Sequence, residues 1–257
     1  MLPLGRKPVL EYVIDEVLAA GIEKTVFVIA PDRPTLREYF GSAEDSRGCE
    51  FAYAVQEEPL GLGHAVLQAE EAVDKRPFAV ALGDSIIHSP GVPKPFDRLL
   101  KAFADTGAAA VILVQRTPLE EAGRYGIVKP KSEIAEPFEI SDLVEKPSHE
   151  QLRAGLTLDG EYAYAIAGRY AFQPVIFEYL RGLKPGAAGE LQLTDAIRDM
   201  LADGRSVWCV PLRATEKRRD IGTARSYLEA FCAVALQDPE YGDYLRQILA
   251  GCVEDKR

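Results

Sequence analysis

Phe78 to Leu82 is a run of five apolar residues that stops at Gly83-Asp84. No polar residue interrupts it. A strand of this kind is buried on both faces, as inside a parallel sheet. In open parallel sheets, ligands bind just outside the carboxyl ends of the strands. Asp84 stands at such an end, and the glycine before it lets a ligand approach the backbone closely. A carboxylate there suits Mg2+, which is usually held by one or two carboxylates together with substrate phosphates. An Asp in that place also caps an ordinary turn. The run alone does not choose between the two.

The segments around it set the architecture. Pro8 opens a helix in which Val9, Leu10, Val13, Ile14, Val17 and Leu18 recur at helical spacing, and Gly21 ends it. Thr25 to Ala30 and Phe51 to Val55 read as strands, with a short helix ending at Phe40 between them. Beyond Asp84, a proline-rich loop runs from His88 to Pro95, then a helix to about Asp105, then a strand from Ala108 to Gln115. This alternation with short links predicts an α/β fold: a doubly wound, mostly parallel, Rossmann-like sheet flanked by helices. After Thr117 the rhythm changes. Gly123 to Val128 and Phe138 to Glu145 form short strands around a charged turn, a small antiparallel extension. A long strand follows from Tyr162 to Phe172, a helix ends near Leu201, and Val207 to Pro211 is a last strand. Two amphipathic helices, Thr223 to Leu236 and Tyr241 to Ala250, close the chain. Residues 1–236 read as one α/β domain and 237–257 as a helical tail.

Charge narrows the partners. Forty acidic residues against thirty basic ones give a formal charge of -10, which argues against nucleic acid or an anionic membrane. No apolar run approaches membrane-spanning length and no signal peptide follows Met1, so a cytoplasmic protein is expected. The four cysteines are scattered with no C-x-x-C, and read as reduced thiols.

Three further stretches carry candidate chemistry. Gln56 to His64 contains Gly61-Leu62-Gly63 and leads into a helix from about Ala65 to Val73, whose first N–H groups are free for an acceptor. It is neither a Walker loop nor a dinucleotide fingerprint, and a tight turn explains it as well. His64 reads as a helix-start residue. Glu145-Lys146-Pro147 ends a strand with two opposite charges, either a surface pair or a carboxylate for hydroxyls beside an ammonium for phosphate. Lys217-Arg218-Arg219-Asp220 gathers three positive charges and one carboxylate before Ile221-Gly222. A solvated charge run with an N-capping Asp is the ordinary explanation.

Together these segments resemble the sugar-phosphate nucleotidyltransferase family, and most closely its uridylyl branch. The matching pieces come in the family's order. They are Met1 to Leu4 with Lys7-Pro8-Val9, Gln56 with Pro59 to Val66, Leu82 to Ile86, Tyr125 to Val128, Leu143 to Pro147, Gly168-Arg169-Tyr170, Gly189 to Ile197, and Arg219 to Gly222. Each is short, but their joint order covers nearly the whole chain. The resemblance implies the Mg2+-dependent reaction of UTP with glucose 1-phosphate, giving UDP-glucose and pyrophosphate by in-line attack, in a homo-oligomer. It implies that Gln56, Gly61 and Gly63 lie at the nucleotide, with Gln56 and Gly61 at the uracil. Asp84 and Asp220 would hold the metal between nucleotide and sugar phosphate. Gly126, Glu145 and Glu190 would contact the glucose, and Lys146 its phosphate. Asp84, Lys146 and Asp220 are thus the implied catalytic set.

Two departures from the family matter. The family opens with a strand and a glycine-rich, basic loop just before the position of Met1, and neither is present here. That strand would lie mid-sheet, so Thr25 to Ala30 and Phe78 to Leu82 are expected each to show an unpaired, buried edge. The loop grips the triphosphate, so the chain as it stands is expected to fold poorly or turn over slowly. Ser85 stands where the uridylyl branch often has a second Asp, a minor change. The other readings are a non-catalytic relative that binds nucleotide or sugar, and a nucleotidyltransferase for another base or sugar. A metal-dependent glycosyltransferase fits less well, because Asp84-Ser85-Ile86 is not Asp-x-Asp.

Overall fold

The computed structural model describes residues 2–41, 48–186 and 189–254. The chain enters through a small β ribbon, β1 (Pro3–Leu4) and β2 (Lys7–Pro8), and runs directly into α1 (Val9–Ala19). Strand β3 (Lys24–Ile29), helix α2 (Pro34–Phe40) and strand β4 (Glu50–Val55) follow. Then come two short helices, α3 (Leu62–Leu67) and α4 (Glu70–Val73), where one longer helix was expected. Strand β5 (Phe78–Ala81) ends just before Asp84, and β6 (Ser85–His88) begins just after it. Helix α5 (Pro95–Thr106), strand β7 (Ala110–Pro118) and helix α6 (Leu119–Ala122) lead to the hairpin of β8 (Gly126–Pro130) and β9 (Phe138–Glu145). Helix α7 (His149–Arg153), strand β10 (Tyr162–Phe172), and helices α8 (Ile176–Gly182) and α9 (Leu193–Ala202) come next. Strands β11 (Val207–Pro211) and β12 (Lys217–Asp220) and helices α10 (Ala224–Ala235) and α11 (Gly242–Glu254) complete the path. Among the described residues no helix is long and apolar enough to cross a membrane.

The main sheet has the strand order β5-β10-β7-β11-β9-β8. Strand β7 shows why it is buried on both sides. Ala110, Ile112 and Val114 face one core with Phe172, Ile176, Ile197 and Met200. Val111 and Leu113 face another with Phe96, Leu99 and Val210. Period-two alternation in the apolar stretch Ala110 to Val114 of the strand thus feeds two helical layers, the arrangement expected of a three-layer α/β domain.

The α/β class, the flanking helices and the antiparallel β8–β9 extension hold, but the pairing is less parallel than expected. β7–β11 and β3–β4 are parallel, whereas β10 runs antiparallel to both β5 and β7. The cause is the long strand β10, which returns through the middle of the sheet. Apolar runs look alike in either direction, so the sequence pattern does not register that reversal.

Strands β3 and β5 each have one partner among the described residues: β4 for β3, and β10 for β5. Their other edges face a cleft of about 700 Å3, lined on its flanks by Leu10, Val13 and Val17 of α1 and by Val66 and Val73. This is the pair of unpaired edges expected from the sequence. The β3–β4 ribbon is held instead by its own cluster, in which Ile14, Phe27, Phe40 and Phe51 pack together.

A second ribbon escaped the sequence reading. β12 pairs antiparallel with β6, with Asp220 opposite Ser85 and Lys217 opposite His88. The charge run is therefore a strand. The N-cap of α10 is Thr223, whose hydroxyl accepts from the backbone of Ser226, so Asp220 is not a capping residue.

Candidate active site

A cleft of about 290 Å3 opens at the carboxyl end of β5 and is lined by Asp84, Tyr125, Gly126, Glu145, Lys146, Thr194, Arg218 and Asp220, among others. It gathers both expected cation-binding carboxylates and three of the four residues expected at the sugar. The two carboxylates meet because of the β6–β12 ladder. Asp220 pairs with Ser85, and the backbone N–H of Ile221 donates to the carbonyl of Asp84 at 3.1 Å. β12 is anchored at its other end by Glu216, which is buried and takes hydrogen bonds from Arg98 and from the backbone of Arg213. Burial raises the pKa of Asp84, and repulsion from Asp220 raises it further. Two carboxylates that repel each other at the mouth of one cleft make a donor set suited to a hard divalent cation, which neutralises both. In that sense the residues fit Mg2+. No group of three or more metal-ligating side chains occurs among the described residues, so the remaining ligands of such a cation would be water or phosphate oxygens.

Across the cleft, Gly126 lies opposite Glu145 in the β8–β9 ladder. A Cβ at position 126 would stand 2.8 Å from Ile166 Cδ1, 3.0 Å from Glu145 Oε2 and 3.0 Å from Thr194 Cγ2. Only glycine leaves room there. Burial raises the pKa of Glu145, and the Thr194 hydroxyl and the Lys146 ammonium work against that rise. Lys146 holds a left-handed backbone, φ 43°, uncommon outside glycine, and its N–H donates to the Tyr125 carbonyl at 3.1 Å. Its ammonium is 3.9 Å from Glu145 Oε1 and more than half exposed. A cation on a strained, stiffened turn beside a partly buried carboxylate is the kind of feature that clusters at functional sites.

Gln56, Gly61, Gly63 and Glu190 stand beside the cleft and are not among the residues that line it. Their neighbours Leu62 and Gln192 do line it. The glycine-rich loop docks on the 190–192 segment: Leu191 N–H donates to Leu60 O at 2.7 Å and Gly63 N–H to Leu191 O at 2.8 Å. A Cβ on Gly61, whose φ is 111°, would fall 2.7 Å from Leu191 O. Gln56 braces the loop through Gly61 O at 3.2 Å, and its amide contacts the His64 ring at 3.0 Å. Glu190 accepts from Gln192 at 2.6 Å.

Two residues went unmarked in the sequence. Arg218 belongs to a charge run whose ordinary explanation is a solvated one, yet its side chain is almost fully buried in the cleft wall. It lies over the Tyr125 ring at 3.9 Å and donates to Ile166 O at 2.6 Å. Thr194 is buried in the cleft wall beside Glu145, whose pKa its hydroxyl lowers. Alternation would have shown Arg218 only if β12 had first been read as a strand.

Comparison with known proteins places this geometry. The nucleotidyl transferase family model matches residues 1–237. A UTP–glucose-1-phosphate uridylyltransferase of Bacillus subtilis (strain 168) is 33% identical over 98% of this chain and 88% of its own length. One from Staphylococcus haemolyticus is 31% identical over 95% and 87%. A UDP-glucose pyrophosphorylase complexed with UDP-glucose superposes with a TM-score of 0.81 at 30% identity, covering 91% of this chain and 88% of that one. The UTP-bound enzyme from Acinetobacter baumannii gives 0.83 at 26% identity, covering 97% and 90%. These likenesses bear out the Rossmann-like α/β class.

Proposed function

The chain belongs to the nucleotidyl transferase family, and we propose that it transfers a uridylyl group from UTP to glucose 1-phosphate, releasing pyrophosphate. The observation that carries the reading is the cleft itself. It sets the Asp84–Asp220 pair against Glu145 and Lys146 across one small space. The relatives of about 30% identity that act on UTP and glucose 1-phosphate by name span nearly the whole chain, which supports the same substrates here.

In the reaction an oxygen of the sugar phosphate attacks the α-phosphorus of UTP. The new P–O bond forms as the bond to pyrophosphate breaks. No protein nucleophile is needed, so the side chains act by positioning and by charge. Lys146 meets the phosphate of glucose 1-phosphate. Glu145 accepts hydroxyls of the sugar, which reaches the β8 backbone because residue 126 has no side chain, and Glu190 extends that contact at the rim. Gln56 and Gly61 receive the base, and Gly63 lies at the nucleotide. Asp84 and Asp220 hold a divalent cation, Mg2+ in this reading, which neutralises the phosphates when bound. The four cysteines are all free, in keeping with a cytoplasmic enzyme. Exposed Leu228, Tyr241, Tyr244 and Ile248 on and beside the last two helices favour a homo-oligomer, measurable by light scattering.

The test is pyrophosphate release from UTP and glucose 1-phosphate with Mg2+. Turnover that requires both substrates supports the reading. UDP-glucose binding with no turnover under any metal overturns it in favour of a non-catalytic relative, and turnover with another nucleotide alone would move the specificity.

A further inference from the structure

Arg169 heads the largest fully buried side chains, with no exposure at all. A guanidinium removed from water is costly unless its charge and its N–H groups are met. Here both are. Nε and one terminal nitrogen donate to Oε2 of Glu16 on α1, at 3.0 and 2.7 Å. The other terminal nitrogen donates to the carbonyls of Leu82 at 3.3 Å and Gly168 at 3.1 Å. The first also reaches the carbonyl of Ser85 at 3.1 Å.

Leu82 and Ser85 are the residues on either side of Gly83-Asp84. One planar fork therefore ties both ends of the turn that carries Asp84. The backbone adds a third tie, from Leu82 N–H to Gly168 O at 3.0 Å. β10 is bulged between Ile166 and Tyr170, where Gly168 has φ 75°. Bulges of this kind re-aim a side chain next to a site. The arrangement exceeds what a buried ion pair needs, since Glu16 alone would satisfy the charge.

We propose that Arg169 is a positioning residue that fixes the Asp84 carboxylate for its cation, with Glu16 as the counter-ion that lets a guanidinium sit there. The proposal rests on the reading of Asp84 as a cation ligand. Lysine keeps the charge but has no rigid fork to span two carbonyls. Outer-shell groups that orient a metal ligand typically change metal affinity by about 10- to 100-fold when altered.

The experiment measures Mn2+ binding, as the Mg2+ surrogate, by the EPR signal of free Mn2+ on the full chain saturated with UDP-glucose. UDP-glucose affinity in EDTA and a thermal melt are run beside it. For Arg169→Lys with a cooperative melt, Mn2+ binding is expected to weaken about tenfold or more, with metal-free UDP-glucose affinity within about threefold of the original. Mn2+ affinity equal to the original protein's overturns the proposal, because a purely structural pair would lower the melt alone. If Arg169→Lys does not fold, Glu16→Gln decides. Mn2+ binding weakened about threefold or more supports the proposal, and unchanged affinity overturns it. An original protein that turns over or binds UDP-glucose but binds no Mn2+ removes the reading of Asp84 itself, a failure separate from that of Arg169.

Discussion

Asp220 reaches Asp84 because it pairs with Ser85 across the β6–β12 ladder, one residue beyond the carboxylate it is to work with. The pair is set by backbone hydrogen bonds, so neither carboxylate escapes the other's charge. Asp84→Asn removes that repulsion and a desolvated charge. The expected outcome is a protein that melts at the same or a higher temperature at pH 7 while turnover falls about 100-fold or more. Near-normal turnover would remove Asp84 from the site.

The pH dependence follows from the same burial. Asp84 and Glu145 both have folded pKa values above their ordinary 3.8 and 4.5. A carboxyl whose pKa is raised on folding binds its proton more tightly in the folded chain. Its charged form therefore opposes folding above the raised pKa, and stability is regained as pH falls through that value towards the ordinary one. Turnover runs the other way, since both groups work as anions. Melts between pH 7 and pH 3.5 should show this gain attenuated in Asp84→Asn, measured as the difference between the two proteins. Parallel curves would mean Asp84 is not perturbed.

Gly126 makes the space that Glu145 uses. In Gly126→Ala the added Cβ meets Ile166, Glu145 and Thr194 at 2.8 to 3.0 Å. Overpacking of this kind costs about 1–3 kcal/mol, and here it also displaces the carboxylate. The KM for glucose 1-phosphate is expected to rise by about tenfold or more with the KM for UTP little changed. An equal change in both would mean that the residue serves only packing.

How much of this was legible in the sequence differs from element to element. β9 and β10 were read to their end residues, because Phe138–Glu145 and Tyr162–Phe172 are bounded by turn or charge signals. The β6–β12 ribbon was not, because Lys217-Arg218-Arg219-Asp220 lacks any apolar alternation. Its strand character comes from pairing with Ser85–His88, a tertiary effect that outweighs propensity. Arg218 was lost with it. Arg218→Gln should lower turnover by about tenfold or more, since the cleft wall loses a buried cation beside Asp220. Arg218→Lys should recover part of this. Unchanged kinetics in Arg218→Gln would restore the bland reading of that run.

The cleft between β3 and β5 leaves two strand edges without ladder partners among the described residues. Its flanks are apolar on both sides, from α1 and from Val66 and Val73, so it has the shape of a slot for one strand with apolar side chains facing both ways. Amide exchange should therefore be uneven. β7, with a partner on each edge, should be among the slowest segments to exchange, and β3 and β5 should exchange faster by orders of magnitude. Filling the slot should reverse this. A chain extended before Met1 by five alternating Val and Ile residues, on a Gly/Ser linker of about fifteen residues, can place a strand there. Each buried CH2 contributes about 0.8 kcal/mol, and each kcal/mol is about 2–4 °C in a domain of this size, so a rise of at least about 5 °C is expected. The control carries the same linker with Ser replacing the apolar residues. Equal melting temperatures for the two extended chains, or exchange at β3 and β5 as slow as at β7 before extension, would mean that the two edges are already satisfied.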